Sequence, residues 1–126
     1  MADPEKVFRV ERLGSTLIVL PLGPALHFQH NEVHVETSAL LKVVEEPALR
    51  NIIVDLHCVD YVDSVIISSI LRSLVKIKQR GGKSVFCRAS ENMTSLLKSI
   101  QLGKLWPSFA TRDEAIAFIV ANSPAP

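Results

Sequence analysis

The chain has no glycine-rich phosphate loop. Neither GxxxxGK[ST] nor GxGxxG occurs among its 126 residues, and GxSxG is missing as well. Those signatures exist because a backbone must come close to a phosphate or turn sharply beneath a nucleophile. Their lack removes the common P-loop, dinucleotide-binding and α/β-hydrolase readings. Cysteine is scarce: Cys58 and Cys87 stand alone, with no CxxC pair. Zinc-ribbon and dithiol redox motifs are thereby set aside, and two reduced, buried thiols are expected. Neither sign of charge is in excess, since 14 Lys and Arg against 13 Asp and Glu leave +1. Such a chain has no electrostatic case for nucleic acid or anionic lipid. The most apolar stretches, 52–56 and 65–77, are short or broken by Ser68, Ser69, Arg72 and Lys76, against the ~20 residues that span a bilayer. The start, MADPEKVFRV, puts acidic residues and a proline where a secretory signal carries a basic and then an apolar stretch. A cytoplasmic protein without membrane insertion is the expectation.

What is present is an ordinary globular composition, 48% hydrophobic and 21% charged. That predicts one domain over 1–126, with a core over about 7–120 and short flexible termini. VFRVER, from Val7, alternates apolar and polar residues, and TLIVLPL follows after a turn at LGS, which reads as an antiparallel hairpin. Its open edge permits a dimer. Asn31 is placed to cap a helix over 31–46, with Val33, Thr37, Leu40, Leu41 and Val44 on one face. NIIVDL, 51–56, is the unbroken β-branched run of a strand covered on both sides. From Ser64 the period becomes helical, through Ile66, Ile70, Leu74 and Ile77, and KIKQRGG closes that helix. KSVFCRA reads as a strand. SENMTSLLKSIQLGKL reads as a helix opened by a Ser-Glu cap and stopped at Gly103, and WPSFA as a short edge strand. TRDEAIAFIVAN carries a Thr111–Glu114 capping box, and Trp106 is expected to pack this last helix onto the sheet. The pattern predicts an α/β fold: a single mixed β-sheet, an antiparallel N-terminal hairpin followed by parallel strands, packed with about four helices.

Few residues are placed for chemistry. HFQHNEVH holds His27, His30 and His34, of which the last two lie one helical turn apart, but the pattern supplies no third metal ligand. Asp55, Asp60 and Asp63 sit at or after the end of the third strand, the edge where parallel sheets bind ligands. They equally suit a turn and a helix N-terminus. A hydrolase built on Asp63 and Ser64 finds only His57 nearby, on or across a strand.

The stretch VDYVDSVIISSI, 59–70, is the sharpest signal, because an apolar run is cut by Asp63 and Ser64 where a strand stops and a helix starts. Ser64 as N-cap would accept a backbone N–H, worth about 1 kcal/mol. The same position also offers a surface hydroxyl at the positive end of a helix, where a phosphoryl group would bring about −1.5 to −2 charges. Val62, Val65 and Ile66 around it are apolar enough for a contact surface. Spacing leaves cap and switch both open.

Taken in order, the hairpin, the LG ahead of the first helix, NIIVDL, VDYVDS leading into a helix that ends QRGGK, and SVFCRAS resemble the STAS domain. This is the module of anti-sigma factor antagonists, also found at the ends of sulfate transporters. The resemblance implies a binding module rather than an enzyme, with no catalytic residue, metal or cofactor. It implies that Ser64 is phosphorylated by a partner kinase, itself the anti-sigma factor, and reset by a phosphatase. The partner would meet Asp60, Tyr61, Val62, Asp63, Val65 and Ser69. The family commonly continues Asp-Ser-Ser/Thr-Gly, whereas here Val65 and Ile66 follow Ser64. Other readings are a non-switching scaffold subunit of a stress-sensing assembly or transporter, and a domain that binds a nucleotide or small ligand.

Overall fold

Alternating strand and helix signals resolve into β1 (Phe8–Leu13), β2 (Thr16–Pro21), α1 (His30–Val44), β3 (Asn51–Asp55), α2 (Ser64–Gln79), β4 (Ser84–Cys87), α3 (Glu91–Ser99), β5 (Ser108–Phe109) and α4 (Arg112–Ala121). The computed structural model describes residues 6–122, so the termini expected to be flexible lie outside the described residues. The strands form one mixed sheet in the order β1-β2-β3-β4-β5, antiparallel between β1 and β2 and parallel thereafter. The hairpin turns through Gly14 at φ 59°, a left-handed conformation that glycine adopts without steric cost.

Three successive parallel connections step the same way along the sheet, and their common hand puts α1, α2 and α3 on one face. Strand alternation then divides the core. Leu17, Val19, Ile52, Val54 and Phe86 face Leu40, Val44, Ile66, Ile70, Leu74 and Met93 in the larger cluster. Ile18, Leu20, Ile53, Val85 and Cys87 face Ala115 and Ile119 of α4 in the smaller one. Each such side chain, fully buried, contributes about 1.5–3 kcal/mol relative to exposure, so the three-helix face supplies most of the stability.

Several local expectations are corrected. Helix α1 starts at His30, two residues earlier than an Asn31 cap would allow, and is capped by Gln29, in a reciprocal capping box with Glu32. Lys6 also holds the Glu32 carboxylate, at 2.7 Å. Helix α3 ends at Ser99, well short of Gly103, because Gln101 turns left-handed at φ 62°. Thr111 does cap α4, but Glu114 reaches the Thr111 hydroxyl at 3.1 Å and not its backbone N–H. Trp106 belongs to the larger core, with Lys78 of α2 5.8 Å from its ring centroid, and so does not pack α4. Cys58 is exposed, on the turn after β3; Cys87 is buried, and burial together with the Asp55 charge pushes its thiol up to about 12.

The end of α2 shows why its glycines are needed. Gly81, at φ 82°, donates to Lys78 and Gly82 donates to Ile77, the paired bonds of a Schellman cap. A Cβ on Gly82 would lie 1.6 Å from the Arg50 carbonyl oxygen. Arg80 then closes the far end of α1, its guanidinium donating to the carbonyls of Val44, Glu46 and Leu49. Gly82→Ala should therefore cost about 1–3 kcal/mol through overpacking against rigid backbone. Gly14→Asn, at an open left-handed position, should cost well under 1 kcal/mol. Urea unfolding of both variants checks the contrast.

Candidate functional site

The site begins with the carboxylate that ends β3. Asp55 has no side-chain exposure, yet it carries a charge. Arg88 donates to it through Nε at 3.0 and 3.1 Å and through Nη2 at 2.6 Å. Arg112 Nε adds a bond of 3.0 Å and the His57 N–H another of 3.0 Å. Burial pushes the Asp55 carboxyl up, but these donors outweigh it and hold the carboxyl below its ordinary value of 3.8. Arg112 also pairs with Glu11 of β1 at 3.0 Å. Arg88 makes its contribution from a left-handed backbone, φ 55°. One carboxylate thus ties together the ends of β3 and β4, the start of α4 and, through Arg112, the outer strand.

From that anchor, residues 56–63 cross to α2. Leu56, Val59 and Val62 point into the core and pin the loop, while His57, Cys58, Asp60 and Tyr61 stay exposed. His57 thus stands on the turn beyond β3, neither in nor across a strand. Asp60 accepts from Asn92 at 2.7 Å, and the Ser90 hydroxyl and that amide hold its carboxyl below the ordinary value. The loop is thereby fastened to the start of α3.

At the start of α2 the two polar residues divide their tasks, and of the two readings left open for Ser64 the helix cap falls away. Asp63 is the N-cap, its Oδ1 accepting from the Ile66 N–H at 3.2 Å. A carboxylate suits this place because it also meets the positive end of the helix dipole. Ser64 is the first helical residue and is exposed. The amides of Ser64 and Val65 lie in the first turn, where a helix has no acceptor of its own to offer.

The residues singled out from the sequence separate by exposure. Asp60, Tyr61, Ser64 and Val65 reach the surface, Tyr61 at 54% and Val65 at 51%, and Asp63 is partly exposed. Val62 and Ser69, expected at the partner surface, are instead both buried. Ser69 is held by Thr37 of α1, Oγ to Oγ at 3.0 Å, and donates to the Val65 carbonyl at 3.2 Å. Ile66 is fully buried, so it adds no bulk to the surface beside Ser64. Of the two departures from the family's usual pattern, only Val65 alters the exterior.

Sequence reasoning missed what stands opposite Ser64. A cleft of about 660 Å³ opens between α1 and α2; Ser64, Val65, Ser68 and Arg72 line it from one side and His30 and His34 from the other. Leu26, 74% exposed, and Phe28 also line it. Ser68 and Arg72 follow Ser64 at intervals of one helical turn, a spacing legible in the sequence. Leu26 sits in a short 3₁₀ turn, Ala25–His27, that no pattern announced. Among the described residues no group of three or more His, Cys, Asp and Glu side chains is placed to hold a metal ion. No helix among them is long and apolar enough to cross a membrane.

Comparison with known proteins gives this geometry a family. The STAS domain profile matches residues 9–115, and the chain belongs to the STAS domain family. No curated protein sequence matches it. A STAS-domain anti-sigma-factor antagonist from Planctomyces limnophilus is 22% identical, with 90% of this chain and 97% of that one covered, at a TM-score of 0.74. The anti-sigma factor antagonist SpoIIAA in its unphosphorylated form is 18% identical, with 93% and 99% covered, at 0.74; the Bacillus protein also has a structure in its phosphorylated form. The murine anion transporter Slc26a9, inward-facing, is 14% identical, with 89% of this chain and 19% of that one covered, at 0.64.

Two measurements test the division of tasks and the anchor. Asp63→Ala should cost about 1 kcal/mol as a lost N-cap, while Ser64→Ala should stay within about 0.5 kcal/mol as an exposed substitution. Equal losses in urea unfolding would overturn the assignment. Because Asp55 titrates lower folded than unfolded, its stabilisation is present above the unfolded value near 3.8 and is lost as pH falls through the lower folded value. Asp55→Asn should remove that acid-side dependence. At neutral pH it should cost about 3–5 kcal/mol, the scale for breaking a buried ion pair. Unfolding measured from pH 2 to 7 reads both.

Proposed function

We propose that the protein is a protein-interaction module that regulates transcription by partner switching. It binds an anti-sigma factor, itself a serine kinase, while Ser64 carries a free hydroxyl, and it releases that partner when Ser64 is phosphorylated. A phosphatase restores the free form. The protein acts by binding and not by catalysis, and the setting is the cytoplasm. The observation that carries this reading is the position of Ser64: exposed, in the first turn of α2, and free of the capping task that Asp63 performs. Membership of the STAS family and the likeness to anti-sigma factor antagonists support it.

The partner surface we infer is Tyr61, Ser64 and Val65, extended along α2 by the shallow groove of Ile67, Leu71 and Val75. Asp60 and Asp63 border it, and Val62 and Ser69 support it from beneath. A phosphoryl group on Ser64 would place a multiply charged, strongly hydrated group in that apolar surface. Its desolvation and its repulsion of nearby acidic groups can each cost a few kcal/mol, and each 1.4 kcal/mol is a factor of ten in affinity.

A second reading rests on Val65, which stands on the surface where the family's pattern has a second hydroxyl. It makes the chain a constitutive scaffold subunit in a larger assembly, and the likeness to an anion transporter agrees with that setting. Intact mass and site mapping on protein from its native cells, with Ser64→Ala beside it, decide between the two. The switch predicts a fraction heavier by one phosphate that disappears in the variant. No phosphate at Ser64, in growth and in stress alike, would leave the scaffold.

A further inference from the structure

The cleft between α1 and α2 has a built character that partner switching does not use. Helices α1 and α2 follow the parallel neighbours β2 and β3, so they run side by side in one direction and bring both amino ends to the same side of the sheet. The bond between Thr37 and Ser69 holds them together. Beyond it they separate into the cleft of about 660 Å³, within the range of small-molecule sites. Its lining is segregated by chemistry. Leu26, Phe28, Val33 and Val65 provide apolar walls, and Ser64, Ser68 and the imidazoles of His30 and His34 provide donors.

Charge decides the sign of the occupant. Arg72 lines the cleft, and among the described residues no carboxylate pairs with it. Asp63 is the one carboxylate in the lining, and its Oδ1 is engaged by the Ile66 N–H. A cation would meet Arg72, whereas a carboxylate would pair with it.

We propose that this cleft binds a small amphiphilic carboxylate, its apolar body against Leu26, Phe28, Val33 and Val65 and its head held by Arg72. The bound molecule lies over Ser64 and Val65, so it competes with any protein that docks there. A phosphoryl group on Ser64 would add negative charge to this lining and oppose the carboxylate.

The test is a titration of isotope-labelled protein with octanoate, followed by amide chemical shifts, with octan-1-ol and acetate as controls. Octanoate should give saturable shifts confined to 25–37 and 63–72, and octanol and acetate should each bind at least about tenfold more weakly, since each lacks one half of the match. Arg72→Gln should weaken octanoate about tenfold. Leu26→Asp, which introduces a like charge at an exposed position that the fold does not need, should do the same. The titrated protein is unphosphorylated, so the outcome does not depend on whether Ser64 is modified in cells. Shifts that do not saturate, shifts elsewhere, octanol binding as tightly as octanoate, or both cleft variants binding unchanged would each overturn the proposal.

Discussion

The structure turns on one charge placed where charges are costly. Asp55 ends the central strand with no exposure, and an unpaired carboxylate there would destabilise the fold by several kcal/mol. Two guanidinium groups and a backbone N–H make it tenable. Those donors come from the end of β4, the start of α4 and the turn after β3, so satisfying one carboxylate fixes the relative placement of all three. The loop to α2 leaves from this clamp. The position of Ser64 follows from a strand end that cannot drift without stranding a buried charge.

The second constraint is economy at the start of α2. A helix amino end needs an acceptor, and one well-placed side chain suffices. Because Asp63 supplies it, Ser64 is released from structural duty, and its hydroxyl can change chemically without unmaking the cap. The buried bonds of Ser69 and Thr37 lock α2 to α1 one turn further on, so the first turn is presented on a rigid base. Recognition surfaces gain from such rigidity because less order has to be imposed on binding.

How far the sequence could be read follows from which interactions are local. The mixed sheet, with its antiparallel hairpin, parallel strands and four helices, was legible because apolar periodicity is a property of the chain itself. The Asp55 cluster was not, since Glu11, Arg88 and Arg112 are far apart in sequence and none carries a local signature. Whether Ser64 caps the helix stayed open because aspartate and serine both cap well, and only the Ile66 N–H geometry separates them. Val62 and Ser69 were expected at the surface because the resemblance implied it; their burial depends on how the loop descends and on where α1 packs. Trp106 was placed on the wrong side of the sheet because the short β5 gives too few residues to show an alternation.

The chain's single tryptophan and single tyrosine have ended up in opposite kinds of place. Trp106 is enclosed in the three-helix core, whereas Tyr61 stands in solvent three residues before Ser64. The molecule therefore carries two separable optical probes. Indole emission follows the integrity of the fold and is insulated from what touches the start of α2. Phenol absorbance follows that surface and is indifferent to the interior. A change in one without the other distinguishes a protein that has been bound from a protein that has come apart.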